Sequence, residues 1–279
     1  MSKKLYTESY VQNIADAIRE KNGLTDTYML GEMATAIRAI QTGADLLGLA
    51  AGNELFDLDD ATIQTEATSI PQYMFYGNAN VHNISLNEIT NVGTYTFKGC
   101  GYIGNINLPK CTEIGANAFL ECRRSSSVYA STINLPKVVT IREQAFREFS
   151  INNPNFEFNL PECTTIESGS FRAVIQIYVF SVKKFNLPKI QTIGQYAFQN
   201  VGATDFIMGD AVTTIGRQAF ESANITNLYC YATTPPAVSN SNLGAATISH
   251  IYVPSASVDT YKAAAGWSAY ASIIEAIPA

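Results

Sequence analysis

The sequence predicts an α+β repeat protein, a solenoid of short strands and turns with an N-terminal helical hairpin and a C-terminal helical cap. Three observations predict it. A phrase ending in phenylalanine returns seven times, at intervals of 22 to 27 residues. A second phrase, alternating with period two and often closed by Leu-Pro, falls between the copies. Both ends of the chain abandon these phrases for helical spacing.

The copies are IPQYMF (70–75), VGTYTF (92–97), IGANAF (114–119), IREQAF (141–146), IESGSF (166–171), IGQYAF (193–198) and IGRQAF (215–220). Their final phenylalanines are 22, 22, 27, 25, 27 and 22 residues apart, a period in the range of leucine-rich repeats with insertions in some loops. Between them stand ISLNEI (84–89), INLPKC (106–111), INLPKV (133–138), FNLPEC (158–163), FNLPKI (185–190) and the degenerate FIMGDA (206–211). LYCY (228–231) and IYVP (251–254) continue the alternation. Period two is a strand signal, and a proline directly after a short strand ends it without removing an interior donor. Each unit is therefore a short strand, a turn, a second short apolar stretch, and a tight turn carrying a small residue and Phe. One unit cannot bury its own apolar side, whereas a stack of seven buries a continuous ladder of Ile, Leu and Phe.

The flanks read differently. In residues 1–42, Val11, Ile14, Ala15 and Ile18 share one helical face, Asn22-Gly23 stops that helix, and Met33, Ile37 and Ile40 share a face of a second. This hairpin is too small to bury much core alone, so Val11, Ile14, Ile18, Met33, Ile37 and Ile40 are candidate assembly residues. Residues 43–54 form a linker, 55–230 the array and 231–279 a capping unit. Asp57, Asp59 and Asp60 lie close together but lack the spacing of a calcium loop and are read as a solvated turn. After Phe220, 233–247 read as a polar excursion. Val258, Tyr261, Trp267, Tyr270 and Ile274 then supply cap anchors at helical spacings, interrupted at Gly266-Trp267. Trp267 is read as core.

Composition narrows the function. Charged residues make up only 15%, with 18 basic and 24 acidic giving −6, so no basic footprint for nucleic acid exists. No apolar run is long enough for a transmembrane helix, and MSKKLYTESY is not followed by a signal-peptide core. His82 and His250 are far apart in the chain, and no H-E-x-x-H, Walker or G-x-S-x-G motif occurs. Glu88, Glu113, Glu143, Glu162 and Glu167 recur near repeat turns and are read as solvating one edge rather than forming a glycosidase pair. Cys100, Cys111, Cys122, Cys163 and Cys230 all occupy repeat slots that are hydrophobic in other copies, so they are read as small buried hydrophobes. No catalytic, metal or cofactor site is expected.

The insertions at 123–132, 149–157 and 172–184 fall in adjacent repeats, and such insertions often map to one binding face. Arg123, Arg124, Tyr129, Phe156, Tyr178 and Phe180 are the candidate partner-binding residues. The opposing reading is that these aromatics extend the core under longer loops.

LPKCTEIGANAF (108–119) and LPKIQTIGQYAF (187–198) closely resemble the treponemal, BspA-like subclass of leucine-rich repeats, and 251–274 resembles the unit that often closes such arrays. The resemblance covers about 55–277. It implies a surface-binding array of the kind found in bacterial surface proteins, adhesins and phage-encoded proteins. A second resemblance lies in Ile14-Ala15-Asp16-Ala17-Ile18-Arg19, Lys21, Gly23, Glu32-Met33-Ala34 and Ala36-Ile37, which is similar to a helical segment of tail-associated proteins from phages and prophages of Gram-positive bacteria. With no signal peptide, wall anchor or immunoglobulin-like module in view, the expectation is a non-enzymatic tail-associated virion protein. Its array would bind a host-surface protein or glycan. Its hairpin would attach it to tail or baseplate proteins or assemble a homo-oligomer, by analogy a trimer. A cell-surface adhesin is the alternative, and a carbohydrate-active enzyme a more distant one.

Overall fold

A computed structural model of the chain describes residues 56–59, 68–101, 103–122, 132–149, 151–173, 180–239 and 243–278. The hairpin expected at 1–42, with Val11, Ile14, Ile18, Met33, Ile37 and Ile40, lies outside the described residues, as does the linker at 43–54.

The repeat phrase becomes a two-residue strand in every coil. β2 (Ser69–Ile70), β4 (Asn91–Val92), β6 (Glu113–Ile114), β8 (Thr140–Ile141), β10 (Thr165–Ile166), β12 (Thr192–Ile193), β14 (Thr214–Ile215) and β16 (Ala237–Val238) form one parallel sheet of eight strands, in coil order. Each pairs in register with the next, so Ile70, Val92, Ile114, Ile141, Ile166, Ile193, Ile215 and Val238 make one file. The eighth strand was not legible as a repeat. It lies in the segment expected to be a polar excursion, where Val238 replaces the strand isoleucine and Leu243 holds a fully buried place five residues on.

The Leu-Pro phrase becomes a second wall, in two parallel sheets. β1 (Phe56–Asp59), β3 (Val81–Ser85), β5 (Asn105–Asn107) and β7 (Thr132–Asn134) form the first. β9 (Asn152–Asn159), β11 (Phe180–Leu187), β13 (Val201–Met208), β15 (Asn224–Cys230), β17 (Thr247–Val253) and β18 (Ile274–Ala276) form the second. The ladder is thus interrupted between β7 and β9. There the inward residue changes from Ile106 and Ile133 to Phe158 and Phe185, and the strand lengthens from three residues to eight.

The core is a stack of rings. Phe75, Phe97, Phe119, Phe146, Phe171, Phe198 and Phe220 lie face to face, with successive centroids 5.0 to 5.6 Å apart and planes within 10° of parallel. In the later coils Phe158, Phe185 and Phe206 meet this file edge-on, the other arrangement that ring quadrupoles favour. In six of the seven coils the residue before the Phe is small because it is buried: Thr96, Ala118, Ala145, Ser170, Ala197 and Ala219 are fully enclosed, while Met74 takes the place in the first. The Thr96 and Ser170 hydroxyls donate to the Gly93 and Glu167 carbonyls, both at 2.7 Å. The tight turn uses left-handed backbone on either side of the Phe, for example at Tyr95 (φ 58°) and Gly99 (φ 74°), and its N–H groups donate to the turn of the next coil.

Two expectations change. The insertion at 149–157 does not bulge away from the stack. Residues 152–159 form β9, and Phe149, Ile151 and Phe156 are buried. Phe156 is therefore core rather than a partner-binding anchor. It sits two residues before Phe158, on the same strand face, and meets that ring edge-on at 5.0 Å. The C-terminal cap is only partly helical. A single turn of 3-10 helix, α1 (Val258–Ala263) and a second 3-10 segment (Ser268–Ile273) lead into β18, which adds a last strand to the wall. Trp267 and Tyr261 seal this end. Both are fully buried, with Trp267 Nε1 donating to Pro236 O at 3.0 Å and the Tyr261 hydroxyl to Ala232 O at 2.8 Å.

Candidate functional site

Repetition puts equivalent side chains in files, and the outward files of the strand wall change character along the array. In the early coils they are amide ladders. Asn105 Nδ2 donates to Asn83 Oδ1 at 2.7 Å, Asn107 Nδ2 to the Ser85 hydroxyl at 3.1 Å, and Asn134 Nδ2 to Asn107 Oδ1 at 2.7 Å. Asn186 repeats the contact with Asn159. In the middle coils one file becomes ionic. Lys183 lies 2.7 Å from Glu157, with Lys184 at 3.7 Å, and the Lys183 hydrogen bond chiefly holds the Glu157 carboxyl below its ordinary range.

In the last coils the outward files turn aromatic. Asp205, Asn227 and His250 occupy one file by strand register; Ile207, Tyr229, Tyr252 and Glu275 occupy the next. Tyr229 and Tyr252 stack at 4.9 Å, and the His250 ring lies 5.8 Å from Tyr252 and nearly parallel to it. Asn227 donates to Asp205 Oδ1 at 2.9 Å, and His250 Nδ1 stands 3.5 Å from Glu275. Tyr231, just beyond β15, is exposed. Partial burial, then the Asp205 carboxylate, then Tyr252 and Tyr231 push the Tyr229 phenol above its ordinary pKa, so these groups share one electrostatic neighbourhood.

A second cluster lies on the turn edge of the first coils. Tyr73 stacks on Tyr95 at 5.1 Å and approaches Tyr76 at 6.1 Å, and the Lys98 ammonium lies 5.7 Å from the Tyr76 ring and 5.6 Å from that of Tyr95. Tyr73 and Tyr76 are among the few large apolar side chains exposed in the described surface.

Sequence reasoning missed both clusters. Of the residues it named, Phe156 is buried, Arg123, Arg124, Tyr129 and Tyr178 lie outside the described residues, and the side chain of Phe180 does too. The missed signal was the alternation itself: in LYCY and IYVP the positions between the inward Leu228, Cys230, Ile251 and Val253 are tyrosines.

Four of the five recurrent glutamates form ion pairs between coils. Glu88 meets Lys110 at 2.7 Å, Glu162 meets Lys189 at 2.8 Å, and Arg142 bridges Glu113 at 3.1 Å and Glu167 at 2.9 Å. Such exposed pairs contribute little stability. Among the described residues no three His, Cys, Asp or Glu side chains gather as a metal cluster.

All five cysteines are free and buried. Cys100 and Cys122 Sγ donate to Phe75 O and Phe97 O, both at 3.0 Å. Burial pushes Cys100, Cys111 and Cys163 up to about 12. The thiolate is the nucleophile, so the native chain should leave these thiols unmodified by a disulfide reagent at pH 8, and all five should react once it is unfolded. The linkage has a fixed sign. A thiol whose folded pKa is raised contributes its full stability below its unfolded pKa near 9.0 and loses it as pH climbs toward 12. Thermal melts from pH 8 to 11 should fall progressively above pH 9, and rapid labelling of the native chain at pH 8 would contradict the burial.

A family model described as the BspA type leucine-rich repeat region matches six copies, over residues 53–178, 90–226 and 164–263. Among solved structures, the chain is similar to a leucine-rich repeat protein from Bacteroides ovatus, at 15% identity and a TM-score of 0.31, over 67% of this chain and 59% of that one. This chain thus spans less than two thirds of that structure's length. No curated protein matches it.

Proposed function

Because the chain belongs to the BspA-type leucine-rich repeat family, we propose that it is a non-enzymatic recognition protein of a phage or prophage tail. In this reading its array binds a protein or glycan of the host surface. The segment at 1–42 joins it to tail or baseplate proteins or to copies of itself. One observation carries the binding role: inward files are given over to packing, while an outward strand file holds the Tyr229–Tyr252 stack and the turn edge holds the Tyr73–Tyr95 stack. Aromatic side chains with polar tips are the residues that recognition surfaces favour. The tail assignment rests on the resemblance within 1–42.

The test is particle-level. Tail-like particles purified from the source strain should contain this chain by mass spectrometry, and labelled antibody should place it at the tail. Its absence from particles together with recovery from the cell envelope would overturn the tail assignment in favour of a cell-surface adhesin.

A further inference from the structure

Resting on the recognition reading above, we propose that the strand face around Tyr229 and Tyr252 is a saccharide subsite that takes an uncharged, linear pyranose chain lying along the array axis. The groups there are two phenols, the Asn227 amide, the Asp205 and Glu275 carboxylates and the His250 imidazole, set on consecutive rungs of β13, β15, β17 and β18. Such a set offers hydrogen-bond donors, acceptors and aromatic carbon side by side. A sugar chain presents the matching pattern of hydroxyls and C–H faces on every unit.

Charge selects against an anionic partner. Glu157 is paired with Lys183, Asp205 accepts from Asn227, and Glu275 stands against His250. Of these carboxylates only Glu157 faces a lysine, so Asp205 and Glu275 leave the face mildly acidic. An anionic polymer would meet Asp205 and Glu275 directly. The turn-edge cluster differs, because the charge of Lys98 already lies against the rings of Tyr76 and Tyr95.

Spacing and rigidity support the same ligand. Parallel strands repeat at about 4.7–4.9 Å, close to the length of one pyranose unit in an extended chain, so successive rungs can address successive sugars. The tyrosines are anchored in hydrogen-bonded strands and hold each other face to face, so little ordering cost remains at binding. Tyr231 widens the aromatic margin at the solvent edge.

Titration calorimetry of the full chain against chitohexaose, cellohexaose and maltohexaose tests this, with polyglycerol phosphate as the anionic comparison. The expected result is saturable binding of at least one hexasaccharide, weaker binding of its trimer, and no heat with polyglycerol phosphate. Y229T/Y252T should lose at least tenfold in affinity, since threonine keeps the strand preference and unchanged circular dichroism confirms the fold. Val139→Ser, at an exposed residue outside both aromatic clusters, should bind as the parent does. Failure of all three hexasaccharides, or unchanged binding in Y229T/Y252T, overturns the inference. Retention of the chain on Gram-positive cell envelopes separates the two readings. Retention abolished by periodate supports the saccharide site. Retention abolished only by protease overturns it and leaves the recognition function standing. No retention at all overturns both.

Discussion

Phe146→Ala lowers the unfolding free energy by about 3–5 kcal/mol, the scale of a large buried aromatic cut back to a methyl group. Phe146 stands mid-file. It stacks on Phe119 at 5.0 Å and Phe171 at 5.3 Å, and meets Phe149 and Phe158 edge-on at 5.5 and 6.4 Å. Its loss therefore strips contacts from two neighbouring coils at once. Ring pairs contribute about 0.5–1.5 kcal/mol beyond the area they bury, so a double-mutant cycle with Phe119→Ala should return a coupling of that order. Phe75→Ala is the comparison. Among the described residues Phe75 stacks only on Phe97, at 5.2 Å, and its loss should cost less. Because each coil touches only its neighbours, a cavity at Phe146 should also broaden the urea transition as the two flanks begin to unfold separately. Equal losses at Phe75 and Phe146, with no change in slope, would show that stacking order does not set stability.

Gly209→Pro destabilises the array, by about 3 kcal/mol or more on the scale of a proline that removes a backbone bond and clashes, although the repeats themselves recommend it. Pro109, Pro136, Pro161 and Pro188 occupy the same slot in earlier coils, and consensus substitutions usually stabilise by about 0.5–2 kcal/mol. Here the chain passes so close to its neighbour that a Cβ on Gly209 would overlap the Pro188 carbonyl oxygen. The Gly209 N–H also donates to Leu187 O at 3.1 Å, a bond that proline cannot make. Gly209→Ala keeps the N–H but not the clearance and should fall between parent and proline. Denaturant midpoints of the three proteins decide it, provided the slope is constant. A proline variant more stable than the parent would mean that the close approach is not maintained in solution.

The fold was legible where burial repeats. Ile114-x-x-x-x-Phe119 and its relatives recur because every coil must fill the same inward slots, and those slots read directly as period. The eighth coil was hidden because Val238 and Leu243 fill its slots with different shapes, between polar residues that need not repeat. For Phe156 the core alternative holds, and its two-residue spacing from Phe158 already marked a shared strand face within the inserted stretch. Of the site, the tyrosines were countable but their neighbours were not. Asp205, Asn227 and His250 are each separated by more than twenty residues and meet only because coils stack in register. Outward positions carry no packing constraint, so nothing in the period distinguishes a recognition residue from a solubilising one.

The interrupted wall between β7 and β9 also has a mechanical meaning. A tether at the first coils and a grip near Tyr252 would pull along the array, and each coil would then transmit the load to the next through its inter-coil bonds, in series. Most levels share that load among the short strands, the turn ladder and the long wall. Between Thr132–Asn134 and Asn152–Asn159 the long wall has no ladder pairing, while β8 and β10 remain joined through Thr140 and Ile141. Among the described residues that level therefore bears tension without a long-wall ladder, and it splits the long wall into two blocks, with the Tyr229–Tyr252 face wholly within the second.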